Sequence, residues 1–89
     1  FIARSQGKAS FRGIVANSRV FRGERGKYVT FLTLGIGNGE YIDVTLHSAQ
    51  STRLSPIVQG HGFLKINNRT EYIDCKSYKT ITIDKMDKI

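Results

Sequence analysis

The sequence has one cysteine, one proline, no tryptophan and no long hydrophobic run. A single cysteine, Cys75, excludes an internal disulfide and a zinc site built from several cysteines, and it fits a reducing compartment. No apolar segment approaches the ~20 residues of a membrane-spanning helix, and no signal-peptide pattern is present. We therefore expect one cytoplasmic domain of 89 residues that has no membrane partner.

Acidic residues are also scarce: fourteen Lys and Arg face seven Asp and Glu, which gives a net charge of +7 and a pI near 9.9. The excess is uneven, because residues 1–27 carry +6 and the remaining 62 residues carry +1. A concentrated positive charge favours a polyanion, since binding phosphates releases condensed counterions. The simpler interpretation is a solvated basic surface that only aids solubility.

Side chains for catalysis or metal binding are missing from the expected spacings. His47 and His61 lie in no HxH, HExxH or cysteine-paired pattern, which argues against a metal site. Glu40 and Asp43 belong to opposite faces of one predicted strand, so they do not form a carboxylate pair. Residues 22–27 are rich in glycine and basic residues but lack the GxxxxGK[ST] spacing of a phosphate-binding loop. We expect no enzyme, no metal and no cofactor.

Two alternating apolar runs joined by Gly37-Asn38-Gly39 dominate the chain, over residues 27–47. Alternation with a period of two predicts strands, and Asn-Gly between two such runs is a strong hairpin signal. One face is aliphatic and is predicted to be buried, whereas the other carries aromatic and polar groups. The residues predicted to face inward are Leu32, Leu34, Ile42, Val44 and Leu46. The residues predicted to face outward are Phe31, Thr33, Tyr41, Asp43, Thr45 and His47.

The flanking segments predict three more strands, at residues 10–22, 63–66 and 71–77. Gly13 is expected to mark a bend or bulge, and residues 58–62 a break before the fourth strand. Residues 48–54 predict a short helix that ends near Pro56. Residues 1–8 show no periodicity and predict a flexible basic arm. The domain boundaries are thus an arm at 1–8, a folded domain at 9–83 and a short C-terminal tail at 84–89.

This order of elements predicts an all-β protein with a five-stranded OB-fold, a Greek-key barrel with a short helix between strands 3 and 4. A long, curved, glycine-containing first strand fits, because that strand pairs with both halves of such a barrel. An SH3-like barrel is the structural alternative, and the connection of about ten residues between strands 3 and 4 favours the OB-fold.

Three segments resemble the single-stranded DNA-binding proteins of bacteria and their phages: RGIV at 12–15, VTFLTLG at 29–35 and GHGFL at 60–64. The charged loop followed by GKYVTF is also similar to the small filamentous-phage proteins that coat single strands. The resemblance implies that Phe31 and Tyr41 stack on bases, and that His47 occupies a position where another ring often lies. The chain departs from the cellular members in having no tryptophan and no acidic tail in residues 84–89. Either the tail-mediated recruitment of repair enzymes is absent or the tail has been truncated away, and a phage or plasmid member is favoured.

The candidate nucleic-acid-binding residues are basic groups for phosphates and rings for bases. Each has a simpler interpretation, as a solvated surface charge or as a ring packed in the core or under a loop. The full set is Arg12, Arg19, Phe21, Arg22, Arg25, Lys27, Tyr28, Phe31, Tyr41, His47, Phe63, Lys65, Arg69, Tyr72 and Lys76.

The sequence thus predicts a non-catalytic protein that coats single-stranded DNA with little sequence preference and protects it in replication or recombination. The first alternative partner is RNA, as in cold-shock-like domains, because only contacts to the 2′-OH separate the two. The second alternative is a protein-interaction adaptor whose aromatic face is an interface. A homo-oligomer, with a dimer favoured, is expected in a bacterial or phage-infected cell, and residues 80–83 are a candidate edge strand for the dimer.

Overall fold

The computed structural model describes residues 1–48, 56–75 and 81–83, and these residues form an all-β protein, as predicted. One 3-10 turn, Glu24–Gly26, interrupts the strands. None of the described segments is a helix of the length and apolarity that a bilayer crossing requires. The strands are β1 (Ile2–Ser5), β2 (Lys8–Arg22), β3 (Tyr28–Gly37), β4 (Glu40–Ser48), β5 (Ile57–Asn67), β6 (Thr70–Cys75) and β7 (Ile81–Ile83).

Five of these strands close into a ring in the order β2-β3-β4-β6-β5, because β5 pairs back onto the first half of β2. Neighbours in the ring are antiparallel except β4 and β6, which run parallel. β1 extends the sheet beyond β2, and β7 extends it beyond β5. The predicted helix falls almost wholly on residues 49–55, which lie outside the described residues.

The core fills the inside of the ring and confirms the inward residues predicted for the central hairpin. Leu32, Leu34, Val44 and Leu46 are buried, and Ile42 packs against them. The remaining buried apolar residues come from the other three strands of the ring. They are Ala9, Phe11, Val58, Ile73 and Cys75.

Three hairpins have two-residue turns whose central residues both have positive φ, the geometry that matches the right-handed twist of paired strands. The predicted turn at Asn38-Gly39 has φ of 56° and 74°, and the predicted loop at Asn68-Arg69 has φ of 53° and 67°. The third turn, between β1 and β2, was not predicted.

Residues 58–62, which the sequence predicts as a break, instead belong to β5. A Cβ atom on Gly62 would lie 2.7 Å from the carbonyl oxygen of Asp74 and 2.9 Å from Sγ of Cys75. This glycine therefore permits a close approach of β5 and β6 rather than a turn. Gly13 is similar, since its Cβ would lie 2.7 Å from the oxygen of Gly35, and the bulge expected there occurs a few residues later, where the β2–β3 register shifts after Val15.

The segment predicted as an arm also contains regular structure. Ile2–Ser5 forms β1 and pairs with residues 8–11 of β2 through the turn at Gln6-Gly7. Arg4 Nη2 lies 2.7 Å from Oε1 of Glu71, and this hydrogen bond raises the pKa of Arg4. One of the basic groups of residues 1–27 is therefore already paired with an acid.

Candidate nucleic-acid interface

The outward side of the ring carries the predicted rings, and strand register fixes their arrangement. We call this surface the aromatic face and define it by Phe21, Phe31, Tyr41, Phe63 and Tyr72. Phe31 is 44% exposed and Tyr41 is 63% exposed, as the period of two predicted. Gly35 is the cross-strand partner of Tyr41.

One row of side chains crosses the strands at the centre of this face. Arg19 is the cross-strand partner of Phe31, which opposes Thr45, and Thr45 opposes Asp74. The row continues on β5, because Asp74 opposes Phe63. Such a row runs perpendicular to the strands, so it can follow an extended ligand across the sheet.

The basic hairpin is defined as the end of β2, the start of β3 and the turn between them, with Arg19, Arg22, Arg25 and Lys27. In this part of the sheet β2 pairs only with β3, because its pairing with β5 ends at Ile14. All four side chains are exposed, and none forms an ion pair with an acid among the described residues. Arg25 adopts a φ of 64° in the tight turn of residues 24–26. These cations are thus available for an external anion.

Arg19 connects the basic hairpin to the aromatic face. Its guanidinium carbon lies 5.3 Å from the centroid of Phe21, whose ring meets Phe31 edge to face at 5.5 Å. Cation–π and edge-to-face contacts hold such groups in defined positions, and the Arg19 guanidinium lies over one face of Phe21. The structure therefore brings Arg19, Phe21 and Phe31 together.

Four predicted site residues lie away from this face. Arg22 and Tyr28 oppose each other on the other side of the hairpin, where Tyr28 is half-buried and shares the inward parity of β3. Arg12 is exposed but lies four residues along β2 from Lys8, about 13 Å at the rise of a strand. Arg69 occupies the β5–β6 turn, and Lys76 lies outside the described residues.

Sequence reasoning missed Asp74, which has the outward parity of β6 but is buried, with its side chain only 7% exposed. Lys65 Nζ lies 3.0 Å from Oδ2 of Asp74, and His47 Nε2 lies 2.8 Å from Oδ1. No hydrogen-bond donor of good geometry reaches Oδ1 among the described residues. His47 and Lys65, both predicted site residues, thus meet at a carboxylate, and we call the three residues the Asp74 cluster.

The Asp74 cluster keeps its carboxyl ionised. Burial raises the pKa of Asp74, but the hydrogen bond from Lys65 and the charges of His47 and Lys65 outweigh burial, so the pKa is lowered overall. The neighbouring Cys75 behaves differently, because burial and the charge of Asp74 raise the pKa of its thiol to about 11. Its Sγ donates to the carbonyl oxygen of His61 at 3.2 Å, so Cys75 is an inert core residue, as predicted.

Two grooves on the outer surface meet at Asp74. One, of about 570 Å³, is lined by Phe31, Thr45, His47, Tyr72 and Asp74 among others. The other, of about 420 Å³, lies on the side of Phe63 and Lys8. Lys8 Nζ is 5.8 Å from the centroid of Phe63, an addition to the site that the sequence did not predict.

No group of three metal-binding side chains occurs within residues 1–48, 56–75 and 81–83. A scan against protein-family models, a search of curated proteins and a search of solved structures each found no significant match.

Proposed function

We propose that the chain is a non-catalytic OB-fold protein that coats single-stranded DNA with little sequence preference. The observation that carries this proposal is the set of exposed aromatic side chains on the outer surface of the five-stranded ring, next to a hairpin whose cations form no ion pair among the described residues. Bases have hydrophobic faces that stack on such rings, and phosphates suit the cations beside them. A coat of this kind protects single strands in replication or recombination.

The strand order supports the OB-fold part of the proposal. An OB-fold is a five-stranded Greek-key barrel whose first strand pairs with both halves, and here β2 pairs with β3 and with β5. The parallel pairing of β4 with β6 brings the fifth ring strand next to the third, with the fourth, β5, on its far side. The faces of the second and third strands bind oligonucleotides in OB-folds, and those strands correspond to β3 and β4.

Exposure of the rings argues for a ligand on this face. Phe31 and Phe63 are each almost half exposed. This exposure remains although Phe31 contacts the ring of Phe21 and Phe63 contacts the ammonium of Lys8. Stacking a base on such a ring contributes about 1–3 kcal/mol. A duplex hides its bases and would reach only the cations.

The proposal is tested by titrating labelled dT, rU and duplex oligomers of equal length at several salt concentrations. The expected slope of log K against log salt for dT is about −2 to −3.5, since each neutralised phosphate contributes roughly −0.7 and three to five contacts are expected. Duplex should bind more weakly. Tighter binding of rU would reassign the partner to RNA, and no binding of any oligomer would favour the protein-interaction adaptor.

Phe31→Ala tests the role of the rings against a matched control, Val20→Ala. Val20 is 45% exposed on the same hairpin but lies on its opposite side, as the partner of Thr30. Phe31→Ala should weaken dT binding by about 1–3 kcal/mol, or roughly 5- to 150-fold, without changing the salt slope. Val20→Ala should bind like the parent, and equal losses in the two variants would contradict the assignment of the binding face.

The homodimer stays a prediction. Residues 81–83 form β7, which pairs with β5 at one edge of the described sheet, so the candidate edge strand does lie at an edge. Sedimentation of the free protein and of its dT complex would measure the oligomeric state.

A further inference from the structure

The cross-strand row that starts at the basic hairpin has a cation at its other end as well. The row begins at Arg19, crosses β3 and β4, and reaches Asp74 on β6. Asp74 opposes Phe63 on β5, and Phe63 opposes Lys8 in the first half of β2. The row therefore leaves β2 at residue 19, passes once round the five-stranded ring and returns to β2 at residue 8.

Lys8 presents its charge to the outside of the ring. Its side chain is exposed and forms no ion pair with an acid in the described part of the chain. Asp74 lines the same groove as Lys8 but lies two strand spacings away, about 10 Å along the sheet. The charge of Lys8 is thus available to an external anion, as the charges of the basic hairpin are.

The groove beside Lys8 is lined by the kinds of group that bind a nucleotide. Its volume is about 420 Å³, and Ser5, Ser10 and Phe63 line it together with Lys8. An ammonium and serine hydroxyls donate hydrogen bonds to phosphate oxygens, and an aromatic ring stacks on a base. Phe63 is 46% exposed, with the Lys8 ammonium 5.8 Å from its centroid. An exposed cation–π contact is weaker than a stacked base, so a base can replace the ammonium on the ring while the ammonium moves to a phosphate.

Backbone pairing holds the groove in place. At Lys8, β2 is paired with β1 on one side and with β5 on the other. The turn between β1 and β2 is also joined to β5, because the backbone N–H of Leu64 donates to the carbonyl oxygen of Gly7 at 2.9 Å. The groove is therefore formed before a ligand arrives, which lowers the entropic cost of binding.

We propose that this groove is a second nucleotide subsite, in which Lys8 binds a backbone phosphate and Phe63 stacks on a base. A bound single strand follows the cross-strand row, with the basic hairpin at one end and the groove at the other. The ends are five strand spacings apart, about 24 Å at the level of the backbones. At about 3.4 Å per nucleotide, a stacked strand of about 8 nucleotides covers that distance. The inference rests on the proposed function and deepens it, since it assigns the path of the strand.

The test compares dT oligomers of about 4 and about 12 nucleotides, lengths within the range that one OB-fold covers. The short oligomer spans only about 10 Å when stacked, so it binds at the basic hairpin, where the cations are concentrated. Lys8→Met should flatten the slope of log K against log salt by about 0.7 for the long oligomer, because one phosphate contact is lost. It should leave the affinity and the slope of the short oligomer unchanged.

Arg4→Met is the matched control for charge. It removes one positive charge from the neighbouring strand β1, but the guanidinium of Arg4 is already paired with Glu71 at 2.7 Å. The salt slopes of this variant should equal those of the parent with both oligomers. If Arg4→Met flattens the long-oligomer slope as much as Lys8→Met does, the effect is one of net charge and the groove is not a subsite.

Phe63→Leu separates the base contact from the phosphate contact. It should weaken binding of the long dT oligomer by at least about 5-fold at an unchanged slope, because stacking is lost. It should not affect an oligomer of the same length that has abasic sugars, whereas Lys8→Met should flatten the slope of that oligomer too. Thermal melting shows whether each variant folds, and if Phe63→Leu does not, Lys8→Met against Arg4→Met decides alone.

Two different failures are distinguishable. If the parent protein binds neither dT oligomer, the proposed function is wrong and the second subsite is wrong with it. If the parent binds the long oligomer and Lys27→Met on the hairpin flattens its slope, but Lys8→Met does not, only the second subsite is wrong. Equal effects of Lys8→Met on the two lengths would overturn the path along the row.

Discussion

Two groups of cations on this protein have similar side chains and different surroundings. The basic hairpin presents Arg25 and Lys27 without an acidic partner among the described residues, whereas Lys65 and His47 surround the buried carboxylate of Asp74. In the hairpin, β2 pairs only with β3, whereas Asp74 lies on β6, which pairs with β4 on one side and with β5 on the other. The count of basic residues in the sequence therefore predicts the charge that the hairpin presents to a ligand, but it overestimates the charge that the cluster presents.

The difference shows that a cation contributes to polyanion binding only to the extent that the protein has not already neutralised it. In the hairpin, the full charge is offered to a ligand, and its loss should affect binding more than folding. In the cluster, the charges neutralise one another within the protein. Removing one of them should therefore lower the stability of the fold more than it changes binding. Measurements of stability separate these two behaviours.

The largest effect on stability is expected for Asp74→Ala. Removing the carboxylate removes the charged contacts that Asp74 makes with Lys65 and His47, and a hydrogen bond to a charged group contributes about 1.5–3 kcal/mol to the free energy of unfolding. In a chain of this size, each kcal/mol lowers Tm by about 4–8 °C. Denaturant unfolding and thermal melting measure the loss.

Asp43→Ala and Arg25→Ala are the controls for that measurement. Asp43 is an exposed acid on the neighbouring strand that accepts a hydrogen bond from Oγ1 of Thr33 at 3.3 Å, and Arg25 is an exposed cation of the hairpin. Both should change the unfolding free energy by less than about 0.5 kcal/mol, as exposed substitutions usually do. A loss in either control as large as that of Asp74→Ala would remove the distinction between cluster and hairpin.

A smaller effect is expected from acid. The pKa of Asp74 is lower in the folded protein than in the unfolded chain, where the pKa of an aspartate is about 4. The folded state therefore binds this proton less readily, so the stabilisation is complete above about pH 4 and is lost as the pH falls through the folded pKa. Unfolding free energy measured from pH 6 to pH 2 should decline more steeply for the parent than for Asp74→Asn. Parallel curves would contradict the assignment.

How far the sequence predicts this molecule depends on whether a feature is local. The period of two assigned Phe31 and Tyr41 outward and Leu32 and Val44 inward, because parity along one strand needs no knowledge of its neighbours. The same parity assigns Tyr28 to the inward side, so its place off the aromatic face was available from the sequence. The turns at residues 38–39 and 68–69 were predictable for the same reason.

Features that depend on distant strands were not predictable. Asp74 alternates with Ile73 and Cys75 like an exposed strand residue, but its strand lies between β4 and β5, and their side chains cover it. The glycine at position 62 has the composition of a turn, and only the closeness of β6 explains why it lies inside a strand. β1 has no apolar alternation because it is an edge strand with mostly exposed residues.

The smallest effect is expected where an ion pair is exposed, at Arg4 and Glu71. Their side chains are 49% and 41% exposed, so water screens the pair and its contribution to stability is about 0.2–1 kcal/mol. Glu71→Gln should lower the free energy of unfolding by that amount at low salt. At 1 M salt, where the screening length is about 3 Å, the substitution should change it very little. Asp74→Asn should keep most of its loss at 1 M salt, because a buried carboxylate is shielded from ions. Denaturant unfolding of both variants and the parent at the two salt concentrations makes the comparison. If the loss in Asp74→Asn disappears with salt as it does in Glu71→Gln, the Asp74 cluster is a surface ion pair like that of Arg4, and its carboxylate does not differ from the other acids of the surface.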